Sequence, residues 1–149
     1  MKSKRIPEAA VYVLEKMSHG FKRTGRAAGA GFYDYQEGEP PQLWAGLKTF
    51  ERGARQIPLE DVRERLLFAQ ALEAVRCLQE GVVESADDLD KATVHGCGFP
   101  ERTGGAIRFV NAMGVERFAE RARELSQRYG ARFDPPALLA DRAQRGIPL

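Results

Sequence analysis

The residues with types and spacings suited to chemistry fall in four places. Gly25-Arg26-Ala27-Ala28-Gly29-Ala30-Gly31 invites a phosphate-loop reading, because closely spaced glycines let backbone N–H groups approach an anion. It leads into Phe32-Tyr33-Asp34-Tyr35, a strand-like aromatic end, and not into a helix whose N-terminus would hold the anion. The lysine and hydroxyl of a Walker loop are also missing. The plainer reading is a tight turn followed by aromatics that plug a core. Asp87, Asp88 and Asp90 resemble a carboxylate cluster, but acids in a first helical turn are already favoured by the helix dipole. A calcium loop would need a glycine and a later bidentate glutamate in register, and neither is in place. Those three acids therefore read as a solvated helix start. His95 is tempting as a general base, yet it reads more simply as a histidine satisfying carbonyls at a helix C-terminus. Cys77 and Cys97 lack Cys-x-x-Cys spacing and read as two small, mostly buried hydrophobes. With only His19 and His95 to help, they make no zinc site.

A chain of 149 residues is long enough for one domain, or one domain plus an arm, and buries roughly 68–70% of its unfolded surface without staples. Its 23 basic and 21 acidic residues leave a net charge of +2, too balanced to argue for nucleic acid or an anionic membrane. No apolar run approaches the length of a membrane span. Met1-Lys2-Ser3-Lys4-Arg5 carries charge with no apolar run behind it, so no signal peptide is expected, and the cytoplasm is the expected location.

The elements that must position these residues are helices. Pro58 to Val83 is the central one. Pro58 suits a first turn, Glu60 and Asp61 favour its positive end, and Gly81 can stop it. Leu67, Phe68, Ala71, Ala74, Val75 and Leu78 fall in one arc, with Arg65, Glu73, Arg76 and Glu80 opposite. Leu66, Leu72 and Cys77 lie outside that arc, so more than one side of this helix calls for cover. Pro7 to His19 is a second helix, with Val11, Leu14 and Met17 on its apolar face and Gly20 ending it. Glu37-Gly38-Glu39-Pro40-Pro41 is a turn or linker, after which Leu43, Trp44, Leu47 and Phe50 form a short helical cluster or, through Trp44, an interface anchor. Ser85 can cap a helix from Ala86 to about Val94. Gly96, Gly98, Gly104 and Gly105 shape a loop around Phe99-Pro100, with Gly104 and Gly105 allowing close backbone approach. Thr103 is placed to cap the next helix, with Ile107, Phe109, Val110 and Met113 on its apolar face. Helices over Val115 to Tyr129 and after Pro135-Pro136 complete an all-α architecture.

Four segments in this order resemble the C-terminal region of 3-hydroxyacyl-CoA dehydrogenases, above all the bacterial multifunctional β-oxidation enzymes. Gly25-Arg26 with Gly29 to Tyr35 is similar to the segment closing the first of that family's two helical copies. Leu66-Leu67 through Glu73 to Val83 is similar to the long helix of the second copy. Ala86-Asp87-Asp88-Leu89-Asp90, and Gly96 through Phe99-Pro100 to Gly104-Gly105, are similar to its next segments. The resemblance covers nearly the whole chain. It implies a 6-phosphogluconate dehydrogenase C-terminal-like helical domain over residues 58–149, preceded by residues 1–57 as an N-terminal helix, Gly-rich turn and linker that end a first copy.

The resemblance also implies a function: a structural or dimerisation domain of a 3-hydroxyacyl-CoA dehydrogenase of fatty-acid β-oxidation, inactive alone. In the family, hydride transfer to NAD relies on a Gly-x-Gly-x-x-Gly turn, a histidine and a glutamate of the cofactor domain, none of which this chain supplies. The family's first copy also carries an asparagine before Arg-Leu-Leu, near the substrate. Here that frame reads Glu64-Arg65-Leu66-Leu67, and an ionised glutamate accepts hydrogen bonds only. No residue is assigned a catalytic, cofactor-binding or metal-ligating role, and NAD enters only through a separate cofactor domain. The expected partner is a second copy or such a domain. Two alternatives stay open: a helical subunit that completes an NAD-dependent dehydrogenase, and a stand-alone acyl-CoA-binding module in which Lys22, Arg23 and Arg26 meet the CoA phosphates.

Overall fold

A computed structural model describes residues 8–51 and 57–149. The chain divides into two units, Met1–Arg55 and Gln56–Leu149.

In the first unit, α1 (Glu8–Glu15) continues into a widened π-turn over Lys16–Gly20. Pro7, its expected first residue, lies outside the described residues. The apolar face expected of this helix is only partly covered: Met17 is buried, whereas Val11 and Leu14 are exposed. The glycine-rich run does form a tight turn. Gly25 donates its N–H to the Ala30 carbonyl (2.8 Å), and Tyr35 donates to Gly29 (3.0 Å). The turn feeds β1 (Tyr33–Asp34), which pairs antiparallel with β2 (Gln42–Leu43), Tyr33 opposite Leu43. The aromatics do not plug a core, however. Phe32 is 42% exposed and Tyr33 43%, because a ribbon of two very short strands offers no second layer to receive them. Of the cluster expected after the linker, Leu47 and Phe50 lie in a 3₁₀ piece over Ala45–Phe50, whereas Leu43 belongs to β2 and is exposed, and Trp44 is extended just before the 3₁₀ turn.

The second unit holds α2 (Leu59–Gln79), α3 (Ala86–Cys97), α4 (Ala106–Met113), α5 (Val115–Tyr129) and α6 (Ala137–Arg145). The chain is mostly helical. Gly114, at φ 90°, is the one residue separating α4 from α5, and such a corner is open to glycine at little cost.

The core sits where α2, α4 and α5 meet. Phe68 of α2 stacks on Phe118 of α5 at 4.1 Å, and Phe109 of α4 meets both rings edge-on at 6.2 and 6.0 Å. On α2, Phe68, Ala71, Ala74 and Val75 of the expected arc are buried, and so is Leu72 from outside it. That second buried side is why the helix carries apolar residues around much of its circumference. Expectations change at the end of α3, at Cys97 and at Thr103. The α3 helix runs through Cys97, beyond Val94, and Cys97 is exposed while Cys77 is half-buried. Arg65, on the arc opposite the apolar one, is half-buried with its guanidinium 4.5 Å over the Tyr129 ring. Thr103 does not cap α4. Its hydroxyl donates to the Pro100 carbonyl (2.7 Å) and accepts from the Gly105 N–H (3.3 Å), so it shapes the loop before the helix.

Candidate functional site

A helix start leaves backbone N–H groups without partners, and a buried start needs acceptors from elsewhere. Ser85 supplies one locally for α3, accepting the Asp88 N–H at 3.4 Å. At α4 the acceptors come from another helix. Asp90 Oδ1 accepts from the N–H groups of Ile107 (2.7 Å) and Arg108 (3.2 Å), and Thr93 Oγ1 accepts from Ala106 (3.2 Å). Asp90 is 3% exposed. The three acids of α3 therefore part company. Asp87 and Asp88 sit in solvent with Arg108 and Lys91, as a solvated start requires, but Asp90 is a buried cap. Gly105 is the reason it fits: a Cβ there would lie 2.4 Å from Asp90 Cβ and 2.5 Å from its Cα. The same device recurs at α6, where Gln79 of α2 accepts the Leu138 N–H at 2.8 Å.

The densest group of charges joins the first turns of α2 to α5. Asp61 is 4% exposed. Its Oδ1 accepts from Arg121 Nη2 (2.7 Å) and its Oδ2 from the Tyr129 hydroxyl, while Arg128 Nη1 forms an ion pair with Oδ2 at 2.9 Å. Arg121 and Arg128 stand two turns apart on α5, so both reach the same side. Arg121 also donates through Nε to Glu64 (2.7 Å) and through Nη1 to Glu124 (2.5 Å). The Tyr129 hydrogen bond, helped by Arg121 and Arg128 against the cost of burial, holds the Asp61 carboxyl below its ordinary value. The same bond from the other side, with burial, raises the Tyr129 phenol. Hydrogen bonds to Glu64, Glu124 and Asp61 raise the Arg121 guanidinium further above its already high value.

In the first unit Arg23 takes the corresponding place. It donates through Nε to the Gly31 carbonyl (2.7 Å) and through Nη2 to Tyr33 (3.2 Å), pairs with Asp34, and lies 4.4 Å over the Trp44 ring. Phe21 meets the Trp44 ring edge-on at 4.9 Å. Trp44 is thus a half-buried packing residue of this unit, held under a cation.

These arrangements position helices and turns. A general base needs an open lone pair and a pKa near the working pH. Asp61 has both oxygens engaged and its pKa pushed the other way. His95 is exposed in the last turn of α3. Glu64 uses its acceptor-only character on Arg121. Of the three cations considered for a CoA phosphate, Arg23 is occupied within its own turn. Among the described residues no group of three His, Cys, Asp or Glu side chains is placed to hold a metal ion, and no helix is long and apolar enough to cross a membrane. Sequence reading missed the Asp61 and Arg23 hubs. Asp61 looks like any first-turn acid, and its partners are 60 and more residues away.

Residues 62–146 match the family described as 3-hydroxyacyl-CoA dehydrogenase, C-terminal domain. The chain is similar to the fatty acid oxidation complex subunit alpha of Pseudomonas savastanoi pv. phaseolicola, 35% identical over 133 residues, covering 84% of this chain and 18% of the relative. The subunit of the same description from Pseudomonas syringae pv. tomato is 36% identical over 135 residues, covering 83% and 18%. Among solved structures, M. tuberculosis FadB2 is 26% identical with a TM-score of 0.48, covering 55% of this chain and 28% of that one. The chain thus spans under a fifth of the length of the curated relatives it matches.

Proposed function

We propose a function from the premise that this chain belongs to the 3-hydroxyacyl-CoA dehydrogenase C-terminal domain family: it is a helical, non-catalytic domain that gives a β-oxidation dehydrogenase its shape and its subunit contacts in the cytoplasm. The observation that carries this is the use to which buried carboxylates are put. Asp61 holds α2 to α5, and Asp90 holds α3 to α4. Both are consumed in packing. In this reading residues 58–149 are a second helical copy whose own site is degenerate, with the Glu64–Arg121 pair filling the frame, and residues 1–57 are the end of a first copy.

NAD belongs to a separate cofactor-binding domain. The residues here do not fit it: the Gly25–Gly31 turn closes on itself through the Gly25–Ala30 hydrogen bond and opens into β1, whereas a pyrophosphate cradle opens into a helix N-terminus. The surface that meets the partner is a stripe on α2. Leu59, Val62 and Leu66 follow one another at spacings of three and four, which places them on one face, and Leu59 and Leu66 are 64% and 65% exposed. Bare apolar side chains in register are what a partner covers. That stripe also favours the second reading, a helical subunit that completes an active dehydrogenase when a cofactor-domain polypeptide binds. A second copy is the other occupant to test for.

The experiment mixes the purified chain with a cofactor-binding domain of the family and follows NADH-dependent acetoacetyl-CoA reduction alongside sedimentation. The expected result is no turnover by the chain alone and a complex in the mixture. Turnover or NAD binding by the chain alone would overturn the proposal. Calorimetry with CoA esters tests the remaining reading, an acyl-CoA module, in which Lys22 and Arg26 would have to act without Arg23; no heat at millimolar ligand ends it.

A further inference from the structure

We draw no further inference here: the strongest candidate, the cleft between α2 and α5 lined by Glu60, Glu64, Glu120 and Glu124, is an acidic cluster with no second observation pointing to a ligand, and its buried member Asp61 is already engaged by α5.

Discussion

Replacing Gly105 with alanine is the sharpest test of how α3 and α4 are joined. Gly105 sits at φ 125° and ψ 176°, a conformation almost confined to glycine, and forcing another residue into it costs about 1–3 kcal/mol. The new Cβ would also stand 2.4 Å from Asp90 Cβ and Oδ1 and 2.5 Å from Asp90 Cα. A side-chain tip can swing away, but Asp90 Cα is helix backbone, so α3 and α4 must separate. Overpacking of this kind costs about 1–3 kcal/mol. Separation stretches the cap that Asp90 makes to Ile107 and Arg108, and a lost cap costs about 0.5–2 kcal/mol. Together these terms span about 2.5–8 kcal/mol, a large part of the roughly 5–15 kcal/mol that holds a domain together. In urea, followed by far-ultraviolet circular dichroism, the midpoint should fall by about 2 M. Asp90→Ala should cost about 1–3 kcal/mol through unsatisfied buried N–H groups, and Asp90→Asn, which keeps an acceptor, less. The double variant should fall short of the sum by about the 0.5–2 kcal/mol of the cap that both changes break, while the clash with Asp90 Cα and Cβ persists. A Gly105→Ala variant within about 0.5 kcal/mol of the parent would refute the close-approach argument, and strict additivity with Asp90→Ala would refute the stretched cap.

The Asp61–Tyr129 bond predicts a pH dependence with two limbs. The Asp61 carboxyl is depressed in the folded chain, so its contribution is present above the unfolded value of 3.8 and is lost as pH falls through the folded one. Tyr129 is raised, so its contribution is present below 10.0 and is lost as pH rises through the folded value. Thermal melts of Tyr129→Phe across this range should lose the tyrosine's alkaline limb and show a shallower acid one; unchanged limbs would contradict the assignment. Arg23→Lys keeps the charge but not the planar fork, so Trp44 fluorescence should shift and proteolysis in the Gly25–Gly31 turn should speed up. If both stay as in the parent, Arg23 is not the organiser of that unit. Leu66→Glu should leave stability within about 0.5 kcal/mol of the parent while weakening association with the cofactor-domain polypeptide or with a second copy. Unaltered sedimentation of a complex would place the contact elsewhere.

Sequence alone was enough for the helical class and for most helix limits, because those depend on neighbours in the chain. Ser85 before Ala86, Gly114 between Met113 and Val115, and Gly146 after Arg145 act within a turn of where they stand. The apolar spacing on α2 likewise named Phe68, Ala71 and Val75 as buried. Local signals failed wherever the partner was distant. Thr103 is well placed for a cap, yet α4 takes its acceptors from Asp90 and Thr93; the aromatics after Gly31 have core-like types, yet Phe32 and Tyr33 find no layer to enter. Nothing near Asp61 separates it from Glu60, and only the packing of α5 against α2 brings Arg121, Arg128 and Tyr129 to it. A short-range pattern sets the backbone's local path, but which carboxylate is desolvated and paired is decided by what the folded chain sets beside it.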